Sequence, residues 1–316
     1  MSRRALASPA SLKGVLKASV AAAALVEGFS GGGVDADALP VADGGEGTLD
    51  ALGGRTHAVD VEDAFGCPRT AWAGELADGT VVVEAAQAIP LDPEHLDAMN
   101  ASSRGLGRWI AGYADCPLVV SVGGTATMDG EAGLLEVLDR LPGPTRVLCD
   151  VSTRLYDAPH LFGPQKGATP EQVEELERRF RRMENLAPYA ELPGSGAAGG
   201  LGAALASLGA ELVAGAEAVL DLIGFDPARY DVVVTGEGTV DQTTWEGKAP
   251  AAVLARCVAE GVRCVVFGGR VRGGLPDGLS GQTELRALSG DPARARDDLV
   301  GLGRELALGL AGLDLA

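Results

Sequence analysis

The decapeptide PGSGAAGGLG, Pro193 to Gly202, contains a literal G-x-G-x-x-G at Gly194, Gly196 and Gly199. In a dinucleotide-binding fold such glycines let the backbone approach a pyrophosphate at a helix N-terminus. That reading needs a strand directly before Gly194 and an acid at the end of the next strand. The preceding segment, NLAPYAELPG, is interrupted by Pro188 and Pro193 and does not read as a strand. The following one, AAGGLGAALASLGAEL, reads as a helix of small residues rather than a turn into a second strand. NAD binding is therefore disfavoured. A phosphate cradle and a close helix contact both stay open, because exposed helix-start N–H groups suit an anion or a neighbouring backbone.

Outward from this stretch, apolar runs alternate with helix-periodic segments, the pattern of an α/β fold with a largely parallel sheet. RALASP reads as a first strand. Leu12, Val15, Leu16, Val20, Ala23, Val26 and Phe29 then follow helical spacing. DALPVADGG predicts a second strand, with a helix from about Glu46. Between about Arg55 and Ala88, HAVDVED, RTAWAGEL and TVVVEAA predict a meander of short strands. LVVSVGG, RVLCDV, YDVVVTGEG and RCVVFGG read as buried strands, and Leu134, Leu138 and Leu141 as part of a helix. TPEQVEELERRFRRMENL predicts a helix capped by Thr169, with Pro170 in its first turn and Gln172 completing a capping box. Its apolar stripe is Val173, Leu176, Phe180 and Met183.

The 316 residues suffice for one large or two ordinary domains, and at 46% hydrophobic they suit a globular chain. A net charge of −18 argues against nucleic acid or an anionic membrane surface as partner. No apolar run has the length of a membrane span. Arg3 and Arg4 before SVAAAALV resemble a signal peptide, but Lys13 and Lys17 interrupt the run, so an amphipathic helix that stays on the protein is expected. Cys67, Cys116, Cys149, Cys257 and Cys264 show no C-x-x-C spacing, which fits a reduced, cytoplasmic setting better than disulfides or zinc. His57, His95 and His160 lie far apart and read as ordinary surface or loop residues.

A recurring loop type carries the chemistry: a strand end with glycines, an acid and sometimes a lysine. Instances are VADGGEGT (Asp43, Glu46), VGGTATMDG (Asp129), CDV (Asp150), FGPQKGA (Lys166) and TGEGTVDQTTWEGKAP (Glu237, Asp241, Lys248). Ligands of parallel α/β sheets bind outside the carboxyl ends of strands. Carboxylates there can hold Mg²⁺ together with phosphate, lysines can neutralise a transferring phosphoryl group, and an Asp can accept a hydroxyl proton. No G-x-x-x-x-G-K-[ST] occurs, so the chain is not a P-loop enzyme. Taken one at a time, each Asp beside glycines reads as a turn former; five such loops together read as a site.

ADGGEGT, GGTATMDG, FGPQKGATPE, GSGAAGGLGA and TGEGTVDQTTWEGKAP, in this order from about Ser8 to Gly269, resemble the motif set of the bacterial glycerate kinases. The resemblance implies a two-domain α/β enzyme with ATP as donor, Mg²⁺, and a small hydroxyl-bearing acceptor. Its expected form is a Rossmann- or flavodoxin-like parallel-sheet domain (1–54 and 226–316) with a second α/β domain inserted (55–225) and the active site in the cleft between them. PGSGAAGGLG then becomes this family's own loop. Gly123, Gly124, Lys166, Gly194, Gly196 and Gly199 are expected on the nucleotide. Lys13, Asp43, Asp129, Asp241 and Lys248 are expected at the chemistry, with Asp43 or Asp129 as base, and Glu237 and Asp241 on the metal.

Departures from the family pattern cluster in these loops. SPASLKG has Ala10 where the family has Asp; Met128 replaces an Asn, Thr239 an Arg and Thr243 a Gln; Thr153 and Arg154 stand where Asn and Pro are usual. Thr supplies neither the charge nor the fork of an arginine. The expected acceptor contacts are Ser11, Thr125, Met128, Arg154 and Thr239, with Arg154 open to an acidic group on the acceptor. The sequence therefore favours a kinase acting on a non-glycerate polyol, such as a cyclitol or sugar alcohol, with glycerate 2-kinase as the alternative. A catalytically dead binding module is the third reading, which the retained acids and lysines oppose. A homo-oligomer is left open.

Overall fold

A computed structural model describes residues 3–276 and 282–312. Along them the strands are β1 (Arg4–Ala7), β2 (Asp35–Ala38), β3 (Arg55–Glu62), β4 (Pro68–Glu75), β5 (Val81–Glu84), β6 (Leu118–Ser121), β7 (Thr145–Cys149), β8 (Glu211–Ala214), β9 (Val232–Val240), β10 (Arg263–Val271) and β11 (Thr283–Ala287). Two compact units result. Residues up to Ala42, Asp50–Leu52 and those from Val219 onward form the first; Asp43–Leu49 and Gly53–Ala218 form the second.

The first unit is built on one sheet of order β11-β10-β9-β1-β2, every pair parallel. With the long insertion between β2 and β9 skipped, this is the 2-1-3-4-5 order of flavodoxin-like folds, which reverses direction between β1 and β9. The central strands are valine-rich and buried, as a parallel sheet covered on both faces requires. The second unit has the order β3-β4-β5-β6-β7-β8. Its first three strands pair antiparallel, giving the expected meander, and β5 to β8 run parallel. Both units are thus α/β with parallel strands.

Several elements differ from the sequence reading. The first helix is Ala18–Gly31, not a helix from Leu12. Residues 12–16 close a turn in which Leu12 and Leu16 exchange backbone hydrogen bonds of 2.9 Å, and Gly14 takes the left-handed conformation that a continuing helix excludes. Lys17 gives that helix no side-chain cap; Asp50 does so instead, accepting from Ser19 N (2.9 Å) and Ser19 Oγ (2.7 Å). The helix at Leu134 is a single turn, Leu134–Val137, because Leu138 is extended. After the small-residue helix Ala197–Ser207 a strand, β8, does follow, and β11 was equally unforeseen; both are short and half-exposed, so neither carries a buried apolar run. The Thr169 capping box is present: Thr169 N donates to Gln172 Oε1 at 2.8 Å and Gln172 N to Thr169 Oγ1 at 3.3 Å.

Helix Ala18–Gly31 buries an alanine and glycine face against helix Ala295–Gly312. A Cβ on Gly28 would collide with the Val300 carbonyl and stand 2.9 Å from Arg304 N, so the two backbones meet through glycine. Gly28→Ala, favourable in an ordinary helix, should therefore cost about 1–3 kcal/mol here. Gly301→Ala, whose Cβ meets nothing within 4 Å, should instead stabilise by up to about 1 kcal/mol. Urea denaturation of both variants checks the pair of opposite signs.

Candidate active site

In the second unit three loops meet at the carboxyl ends of β5, β6 and β7. Glu84, the last residue of β5, is buried and accepts from Gly47 N (2.8 Å) and Leu49 N (3.1 Å), holding the loop that starts at Asp43. Thr48 Oγ1 donates to Gly45 O at 2.7 Å, and Gly123 N, after β6, donates to Gly44 O at 3.2 Å. No side chain would fit at Gly123: its Cβ would stand 2.6 Å from both Gly45 Cα and Asp150 Oδ2. Asp150 follows β7. Glycines thus let the loops of Asp43 and Asp150 lie against the Gly123–Gly124 turn. Asp43 Oδ1 accepts from Gly45 N at 3.2 Å. Glu46 is exposed.

Lys166 stands beside these loops. Its side chain is buried, and its ammonium donates to the Thr127 carbonyl at 2.8 Å. Burial pulls its pKa down from 10.5 to about 8, against the opposing pull of Asp150 and, less strongly, Asp129. A small hollow of about 60 Å³ is lined by Gly123, Gly124, Thr125, Asp150, Gln165 and Lys166, among others. The Thr125 hydroxyl is buried there without a hydrogen-bond partner. A donor amine, an acceptor carboxylate, an unsatisfied hydroxyl and close-approach glycines together make a surface able to take a phosphate or a hydroxylated ligand.

Asp129 is held by a donor set of its own, while its Oδ1 is buried without a hydrogen-bond partner. Its Oδ2 accepts from Ser103 N (2.7 Å), Ser103 Oγ (2.9 Å) and Gly133 N (3.1 Å), bracing the start of helix Arg104–Ala111. Burial raises its pKa, only partly offset by these donors. Met128 beside it is 1% exposed and packs against Gly199. Both residues line a different hollow, of about 340 Å³, from the one at Asp150 and Lys166.

The glycine-rich loop is a packing device. Gly194, Gly196 and Gly199 are all buried. Their Cβ directions are filled by Cys149, by the Arg154 carbonyl and by the Thr127 carbonyl respectively, and Gly196 N already donates to Thr153 O at 2.9 Å. Ala198, at positive φ, and Gly199 and Gly200 kink the helix entry. At these three positions glycine is required by close backbone approach, whatever the loop binds. Arg154 is exposed and pairs on the surface with Glu191 at 3.3 Å.

In the first unit the acids and lysines gather where the strand order reverses. The loop after β1 follows the end of β9, with Ala10 N donating to Gly236 O at 2.9 Å, and brings Ser11 and the exposed Lys13 alongside. Glu237 Oε2 lies 3.5 Å from Lys248 Nζ, and Glu237 Oε1 accepts from Thr244 Oγ1 at 2.7 Å. Asp241 Oδ1 accepts from Thr243 N (2.9 Å) and Thr243 Oγ1 (2.7 Å); these bonds, more than nearby Lys248, lower its pKa and keep it ionised. Thr239 lies on β9 between the two acids. Among the described residues no three His, Cys, Asp or Glu cluster as a metal cage. Glu237 and Asp241 fit Mg²⁺ only in the mode that uses one or two carboxylates with phosphate oxygens and water.

The chain has four lysines, and three of them, Lys13, Lys166 and Lys248, lie in these loops. Sequence reasoning missed Glu84, although TVVVEAA shows the same acid-at-strand-end signal, and missed the Thr127 carbonyl, which no side-chain pattern announces. His95 and His160 are surface residues paired with Asp92 and Glu177. All five cysteines are free thiols. No helix among the described residues is long and apolar enough to cross a membrane.

Two predictions follow from burial. An amine whose folded pKa is lowered binds fewer protons than in the unfolded chain between about pH 8 and 10.5, so its stability contribution rises with pH across that window. Lys166→Met removes this dependence. The stability of the parent relative to the variant should climb by about 3 kcal/mol over that window, measured by urea unfolding at several pH values. Met128→Asn, which buries an amide in the core, should cost about 2–3 kcal/mol, read by the same method at pH 7.

Comparison with known proteins shows the family of the chain. The model of the glycerate kinase family matches residues 5–141 and 143–294. A glycerate kinase of Bacillus subtilis is 33% identical, covering 83% of this chain and 84% of its own. A glycerate 2-kinase of Escherichia coli is 34% identical, covering 78% and 79%. A solved structure provisionally assigned as glycerate kinase 2 from Salmonella typhimurium LT2 superposes over 100% of both chains, with a TM-score of 0.79 at 28% identity.

Proposed function

As this chain belongs to the glycerate kinase family, and is thus a kinase, we propose that it transfers the terminal phosphoryl group of ATP, with Mg²⁺, to a hydroxyl of glycerate. What carries this reading is the retained Asp43, Asp150 and Lys166 grouping around Gly123 and Gly124, in a chain about a third identical to proteins named glycerate kinase. Asp43 is the base that takes the acceptor hydroxyl proton; Asp129, with Oδ2 committed to three donors, positions its loop. Lys166 supplies charge to a phosphoryl group. In the first unit Lys13 and Lys248 serve phosphates, and Glu237 and Asp241 would hold the metal, which supplies charge neutralisation when bound.

The alternative acceptor, a cyclitol or sugar alcohol, rests on the altered loops. Met128, in the core, gives it little support, and Arg154, exposed and paired with Glu191, gives it some. Thr239 remains its main support.

The test is ADP release from the full chain with ATP, Mg²⁺ and either glycerate or a panel of cyclitols and sugar alcohols, with mass spectrometry of the products. Turnover with glycerate is expected. Turnover with a cyclitol alone would transfer the assignment to the second acceptor class, and nucleotide binding without any turnover would indicate a binding module. Asp43→Asn should lower kcat about 100- to 10,000-fold while nucleotide binding persists.

A further inference from the structure

β9 and β10 outrun their sheet. β1 pairs with β9 only as far as Val234, and β11 with β10 only as far as Gly268. Beyond these points β9 and β10 continue together as a two-stranded ribbon: Arg270 is the register partner of Thr239, Val271 of Val240, and Arg272 N donates to Val240 O at 2.8 Å. Trp245 Nε1 donates to Gly274 O at 3.1 Å, fastening the turn after β9 to the segment that follows β10. A Cβ on Gly238 would stand 3.5 Å from Lys13 N, so the loop after β1 lies against the same ribbon.

The ribbon carries two exposed arginines, Arg270 and Arg272. Neither guanidinium has an ion-pair or hydrogen-bond partner among the described residues. They stand on a chain of net charge −18, at the carboxyl ends of parallel strands beside the point where strand order reverses. Ligands of such sheets bind there. Glu237, two residues before Thr239 on the same strand, is already paired with Lys248. Thr239 itself offers no charge, and Arg270 is the cation its neighbouring strand sets beside it.

Resting on the kinase reading, we propose that Arg270 is the anion-recognising residue of the first unit. Its guanidinium takes a carboxylate or phosphate group of a bound reactant through paired N–H donors, serving from β10 the place at which Thr239 on β9 is mute. Arg270 suits this better than Arg272 because it lies within the paired ribbon, whereas Arg272 follows the end of β10. The planar fork matters as well as the charge, so lysine should replace it poorly.

The experiment titrates the full chain with ATP and, separately, with glycerate, comparing the parent with Arg270→Thr, Arg270→Lys and the exchanged pair Thr239→Arg/Arg270→Thr. Affinity for one of the two should fall about ten- to a hundredfold in Arg270→Thr, stay low in Arg270→Lys and recover in the exchanged pair. A fall confined to ATP identifies the anion as nucleotide phosphate; a fall confined to glycerate identifies it as the acceptor carboxylate. Unchanged affinity for both, in a variant with the parent's melting temperature, overturns the assignment. If the parent binds neither compound, the kinase reading fails instead, and titration with inorganic pyrophosphate decides on Arg270 alone: a similar fall supports it, and equal binding overturns it.

Discussion

An ammonium removed from water must be compensated or it loses its proton, and Lys166 is held at that edge. Among the described residues its ammonium donates to a backbone carbonyl, that of Thr127, while the charges of Asp150 and, less strongly, Asp129 favour its protonated form. This leaves its pKa near 8 and its charge incompletely balanced. A group in that condition gains from any phosphate oxygen brought beside it, which is the property a phosphoryl-transfer site uses. The surrounding loops are organised so that the amine can stay buried and still border a hollow.

Glycine makes that organisation possible. Gly123 lets Asp150 and the Asp43 loop approach one turn, and Gly199 lets the kinked helix entry press on the Thr127 carbonyl that holds Lys166. The loop that imitates a dinucleotide fingerprint thus supports the lysine's acceptor. Asp129 belongs to the same scaffold, spending one oxygen on three donors.

The α/β class, the meander of the second unit and the capping box at Thr169 were legible because each rests on local pattern: alternating apolar runs, short strands between turns, and Thr followed three residues later by Gln. The strands β8 and β11 were not, since four or five half-exposed residues leave no apolar signature. The start of the first helix was misread because Leu12, Val15 and Leu16 keep helical spacing through a turn that Gly14 closes. In the second unit, Asp150 stands after β7 as its sequence context implied, and in the first unit Glu237 lies on β9, whereas Lys166 follows the helix Ala158–Phe162 rather than a strand. What sequence could not give was each group's surroundings: Asp129 meets Ser103, 26 residues away, and Arg154 meets Glu191.

The most direct measurement is the titration of Lys166 itself by heteronuclear NMR of the lysine Cε and Nζ signals, practicable in a chain with four lysines. In the free protein its pKa should lie near 8, and addition of ATP with Mg²⁺ should raise it by at least one unit as phosphate charge reaches the buried amine. A value near 10.5, or one near 8 that nucleotide leaves unmoved, would contradict the role assigned to this residue and to the loops built around it.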